Sequence, residues 1–139
     1  MKSYRSLGEI PDILWDNVPR DIEQELRERL EHVENCVNRS MPNDVVDRCR
    51  DAISLIISTL AEVPGYDLAR ALKEFKKHPN GKDRYVVQDA ANLVRLFHSR
   101  GKPNFNFKFK YNIESLSDED AQLSLRCLGR ILKDVNWVR

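Results

Sequence analysis

Residues 44–60, DVVDRCRDAISLIISTL, decide how this chain folds. Val45, Val46, Cys49, Ala52, Ile53, Ile56, Ile57 and Leu60, continued by Ala61, share one broad stripe at helical spacing. A stripe this wide reads as the central helix of a bundle. Asn43 or Asp44 is placed to cap its start, and Pro64 and Gly65 stop it.

Upstream, Ile22, Leu26, Leu30, Val33 and Val37 recur every three or four residues among positions dense in Glu and Arg. That spacing predicts an amphipathic surface helix from Pro19 to about Arg39. Residues 1–18 read as an N-terminal docking segment in which Ile10, Ile13, Leu14 and Trp15 surround Pro11, a residue suited to a first helical turn. Downstream, Asp67 can cap a short helix with Leu68, Leu72 and Phe75 on one face, and HPNGKD, residues 78–83, is a turn. A fourth helix follows from Asp83 to Ser99, with Val86, Val87, Ala90, Leu93, Val94 and Phe97 inward and Gly101 as its stop. Ser117 and Asp120 form a capping box for a last helix, whose Ala121, Leu125, Leu128, Leu132 and Val135 close the bundle.

Between these two helices the period changes. Phe105, Phe107, Phe109, Tyr111 and Ile113 alternate with Asn106, Lys108, Lys110 and Asn112, which marks a short extended or β-like segment near residues 104–113. No second strand is evident, so the segment either crosses the bundle, forms a hairpin with the preceding loop, or pairs with a second copy. The expected fold is therefore all-α, a four- to five-helix bundle in one domain over residues 1–139, with 19–139 as the bundle proper.

Composition agrees. The 139 residues are 32% charged and 41% apolar with five Gly and six Pro, a soluble helical balance that excludes a low-complexity chain. The longest nearly apolar run, residues 52–63, is too short and too interrupted for a membrane span, and the first residues lack a secretory signal. The expected location is cytoplasmic. Cys36, Cys49 and Cys127 are odd in number, widely spaced and fall on apolar faces, which favours structural thiols over a metal or redox site. Charge is uneven: residues 66–113 hold eleven Lys and Arg against four Asp and Glu, whereas the rest of the chain balances at −6. Such a basic block either meets phosphate or an acidic partner, or neutralises the acidic first helix of the same molecule.

Known catalytic signatures are missing: there is no Gly-rich phosphate loop, paired-Cys motif, nucleophile elbow or His-Glu-x-x-His helix. The acids of the first helix alternate with Arg27 and Arg29 as a solvated face that includes His32, with no His at ligand spacing inside, so neither a metal nor another cofactor is expected. His78, before Pro79, reads as an exposed loop residue. What remains is NLVRLFHSRGKPN, residues 92–104. Arg95 and His98, three apart, project from one side of a helix, with Arg100 and Lys102 close behind. A His beside fixed cations can serve as acid and base on a phosphodiester while Arg stabilises the transition-state charge, without a metal. The same cluster is also what a helix C-terminus attracts through its dipole. Lys108 and Lys110 could hold phosphates while the neighbouring Phe residues stack bases, although strict alternation favours those aromatics as core.

Taken together, the helix DVVDRCRDAISLIISTL, the short helix DLARALKEF, the Arg and His cluster and the last helix DAQLSLRCLGRILKDVNW resemble the HEPN superfamily. Within it, residues 44–137 are most similar to the abortive-infection C-terminal type of domain. The resemblance implies a four-helix bundle, often a homodimer, and for many members a metal-independent ribonuclease of defence, toxin–antitoxin or RNA-processing systems. It also implies that Arg95 is the motif arginine and His98 the motif histidine. Two features depart from the family pattern: Leu96 stands where a polar residue follows the arginine, and His98 comes at the third position after it. The expected function is accordingly an HEPN-like domain of a defence or stress-response system, cleaving or binding RNA through Arg95, His98, Arg100, Lys102, Lys108 and Lys110. The alternative is a non-catalytic helical module that dimerises or binds a protein partner such as an antitoxin.

Overall fold

The computed structural model describes residues 12–37, 41–101 and 116–139. These stretches form five α-helices: α1 (Glu23–Cys36), α2 (Pro42–Leu60), α3 (Leu68–Phe75), α4 (Tyr85–Gly101) and α5 (Asp118–Asp134). Among the described residues there is no strand beyond an isolated antiparallel bridge between Ile13 and Val138, so what is seen is an all-helical bundle. The segment at 104–113 lies outside the described residues. None of the described helices is long and apolar enough to cross a membrane.

α2 packs against each of the other four helices. Its stripe is buried as the spacing predicts, and from Ala52 to Ser58 every residue is buried, so this part of the helix is covered all round. α1 leans on α2 through Leu26, Leu30 and Val33, and leaves its Glu and Arg residues to solvent, where Arg27 pairs with Glu23 and Arg29 with Glu25. α4 and α5 pack on each other and on α2.

Local signals set most helix ends. The Asp67 side chain accepts from the Arg70 N–H, and Ser117 and Asp120 make the reciprocal capping box. α2 starts differently from expectation: Met41 is its N-cap and Pro42 its first residue, because proline's fixed φ suits that position and its missing N–H costs nothing there. Both α2 and α5 end in Schellman turns. Glu62 and Asn136 take left-handed φ of 58° and 66°, and Val63 and Trp137 donate back to Ser58 and Leu132.

Three further expectations change. Of the segment before α1 the described part, residues 12–22, docks through Leu14 donating to Trp137 at 2.7 Å and makes 3-10 turns at Trp15–Asn17 and Arg20–Ile22, so Ile13, Leu14 and Trp15 are not part of an α-helix, while Ile10 and Pro11 lie outside the described residues. Val86 is half exposed, because Val87, Ala91 and Val94 form the seam of α4 that meets the core. α4 also continues through Gly101, past the predicted end at Ser99.

The turn from Lys76 to Arg84 is tightly bonded. Asn80 Nδ2 donates to the Leu60 carbonyl, Gln88 Nε2 donates to the Gly81 carbonyl at 2.7 Å, and Arg84 donates to the carbonyls of Asn80 and Asp134. His78 is not the exposed loop residue expected. Its side chain is only 21% exposed: Nδ1 accepts from the Asn80 N–H and so is unprotonated, which leaves Nε2–H to donate to Glu62 at 2.8 Å. These bonds hold the start of α4 against the end of α2 and make the two helices antiparallel.

Candidate functional site

That antiparallel arrangement returns the end of α4 to the start of α2. On α4, Val87, Ala91 and Val94 are buried, and Asn92, Arg95 and His98 follow the polar edge of the same seam. His98 Nδ1 lies 2.7 Å from Asp47 Oδ1 on α2, a residue 51 positions earlier. An ionised carboxylate only accepts, so Nδ1 carries the proton and Nε2 is left as the nitrogen available for chemistry. The imidazole is 17% exposed and its carboxylate partner 51%, which places the pair at the surface with the ring the more buried of the two. Such a carboxylate orients the ring and stabilises the imidazolium that forms when Nε2 takes up a proton.

Arg95 lies one turn before His98, and its Nε donates to Asn92 Oδ1 at 2.9 Å. The bond uses one edge of the guanidinium and steadies the side chain at the rim of the seam. The two predicted catalytic residues thus share one end of α4, although no direct bond joins them. Arg100 falls in the last turn of α4. Lys102, Lys108 and Lys110 lie outside the described residues. Asp47 and Asn92 were missed by the sequence reading, in which Asp47 was only a polar position beside Val46. The one signal for it is its place near the start of α2, which meets the end of α4 if the helices are antiparallel.

Among the described residues no group of three or more His, Cys, Asp or Glu could hold a metal ion. Cys49 and Cys127 are buried and Cys36 is partly so. Burial pushes the Cys49 thiol far above its ordinary value, with Cys127 and Cys36 adding to the rise, and burial also raises Cys127. Burial thus holds the Cys49 and Cys127 thiols in the neutral form. The folded pKa of Cys49 exceeds the unfolded one, so its contribution to stability is complete below about pH 8.5 and is lost as pH rises above it. Urea midpoints between about pH 7 and 10 should therefore fall, approaching about 1.4 kcal/mol per pH unit for this thiol. In Cys49→Ala the slope should be shallower, and an unchanged slope would mean that the thiol ionises in the folded protein.

A small cavity of about 250 Å³ opens between α1 and α2, lined by Glu25, Arg29, Ser54, Ser58 and Tyr66 among others. It does not include the His98 and Asp47 pair. Comparison of the chain with protein-family models, with curated proteins and with solved structures returns no match.

Proposed function

We propose that this protein is an HEPN-like helical domain of a defence or stress-response system that acts on RNA as a metal-independent endoribonuclease, working as a homodimer. The observation that carries the reading is the 2.7 Å contact between His98 and Asp47 one turn from Arg95. A helix end that collects cations for dipole reasons alone needs no carboxylate from another helix bonded to its histidine. In the proposed reaction His98 Nε2 takes the proton from the ribose 2′-hydroxyl as that oxygen attacks the adjacent phosphorus. Arg95 neutralises the charge that builds on the phosphoryl oxygens. The P–O5′ bond breaks, the leaving 5′-oxygen takes a proton from water while the imidazolium returns its own to solvent, and a 2′,3′-cyclic phosphate results. Arg100, Lys102, Lys108 and Lys110 are proposed to contact the RNA backbone.

The test is incubation of the purified protein with mixed RNA in EDTA, with Arg95→Ala and His98→Ala in parallel. Cleavage by the wild type that both substitutions abolish is the expected outcome. Absence of cleavage by a folded wild-type protein overturns the nuclease. A second reading, a non-catalytic module for a protein partner or antitoxin, draws on the exposure of Tyr85, Val86 and Leu96 on α4. It requires that both substitutions leave function intact.

A further inference from the structure

We propose that α3 and the turn after it form a rigid cationic ridge that docks the phosphate backbone of RNA. The inference rests on the RNA-directed reading above and adds a second surface to it. Leu68, Ala71, Leu72 and Phe75 turn inward, which leaves Arg70, Lys73, Lys76 and Lys77 exposed, and Lys82 and Arg84 continue the exposed row along the turn. Arg70 stacks over Tyr66 at 4.2 Å and Arg84 is held by two backbone carbonyls, contacts that fix both cations without cancelling their charge.

Among the described residues these lysines serve no ion pair. Every ion pair among the described residues employs Arg or His, and Lys73, Lys76, Lys77 and Lys82 enter none. None of these lysines pairs with an acid of α1, whose Glu23 and Glu25 pair within the helix itself. Lys73 stands three and four positions from Lys76 and Lys77, an arrangement in which like charges repel. Of the acids nearby, Asp67 caps α3, Glu62 accepts from His78, Glu74 is half buried and Asp83 is exposed between Lys82 and Arg84, a minority against six cations.

Two features favour a phosphate backbone over an acidic protein. First, the ridge itself, from Asp67 to Arg84, exposes no large apolar side chain, and Tyr85 and Val86 stand only at its edge, whereas protein interfaces are centred on aromatic or aliphatic anchors. Second, the next residue, Tyr85, is 65% exposed and offers a ring on which a base can stack. The bonds that clamp residues 76–84 hold the charges in place before any ligand arrives, which lowers the ordering cost of binding. The ridge sits at the opposite end of α4 from His98, roughly 20 Å away along the helix at about 1.5 Å per residue. An RNA touching both covers roughly six stacked nucleotides at about 3.4 Å each.

The experiment compares His98→Ala, which keeps RNA intact, with the same protein carrying Lys73→Gln, Lys76→Gln, Lys77→Gln and Lys82→Gln. Each is titrated with a fluorescent single-stranded RNA between about 50 and 200 mM salt. The plot of log affinity against log salt should lose roughly 0.7 in slope per lysine in contact, close to 3 for all four. Arg20→Gln, exposed in the turn before α1, is the control and should change the slope by less than 1. Because repulsion along α3 is relieved, the quadruple variant should melt no lower than its parent, which separates lost docking from lost folding. An unchanged slope overturns the ridge while leaving His98-dependent cleavage standing. Lysine-dependent binding of polyglutamate without binding of RNA overturns it in favour of an acidic protein. Failure of the wild type both to cleave and to bind RNA overturns this proposal together with the reading beneath it.

Discussion

Gly81→Ala is expected to destabilise the protein by about 3 kcal/mol or more, seen as a lower urea midpoint, because the added methyl has nowhere to go. An alanine Cβ at this position would overlap the Phe75 carbonyl oxygen and come within 2.6 Å of two ring carbons of the same residue. Phe75 is completely buried at the end of α3, and Gly81 is held from the other side by Gln88. The clash can be relieved only by moving the Phe75 ring out of the core or by breaking the bonded turn. Two other glycines provide the contrast. At Gly65 a methyl meets nothing within 4 Å, but its φ of 85° makes alanine cost about 1 kcal/mol. At Gly129, inside α5 and with open space around it, alanine should stabilise by about 0.5–1 kcal/mol. Equal stability of the wild type and Gly81→Ala would show that the turn can lift off Phe75, and the rigid presentation of Lys76, Lys77 and Lys82 would then lose its basis.

The largest effect on the proposed activity belongs to the two residues of the imidazole pair. His98→Ala should lower the RNA cleavage rate by about 10²–10⁴-fold, the range over which a positioned general acid or base contributes. Asp47→Asn should lower it by a comparable factor, since an amide at that place can donate to Nδ1 and so favours the tautomer whose proton sits on Nε2, the wrong nitrogen for a base. Asp47 is half exposed at the helix surface, so Asp47→Asn should fold like the wild type, with a melting temperature within a few degrees. A drop in rate at unchanged stability and unchanged RNA affinity marks a residue that works through the histidine. If Asp47→Asn cleaves at the wild-type rate, the carboxylate does not orient the reacting imidazole.

Much of the framework was legible before any coordinates. The stripe of residues 44–61, the Asp67 cap and the Ser117 and Asp120 box depend on neighbours three or four positions apart, which helical periodicity alone brings together. Arg95 and His98 were visible for the same reason. Less legible were the details that depend on what packs against an element. Val86 and Val87 are indistinguishable in sequence, yet Val87 meets the core and Val86 is half exposed. His78 looked like a solvated turn residue because Glu62, its partner, stands 16 positions away in a left-handed cap that the sequence did not announce.

By itself, then, the sequence determined that the chain makes helices, where most of them begin, and which faces are apolar, since all of these follow from local hydrogen bonding and a period near 3.6 residues. Only the tertiary structure decided that Asp47 is bonded to His98, that Gly81 closes against Phe75, and that Lys73, Lys76, Lys77 and Lys82 form no ion pair with a described acid. The physical reason is that local periodicity does not relate these groups. Asp47 and His98 stand 51 positions apart and meet only because α2 and α4 run antiparallel, whereas Gly81 follows Phe75 by six positions that no helical period joins, and the pairing of the lysines depends on where each acid points.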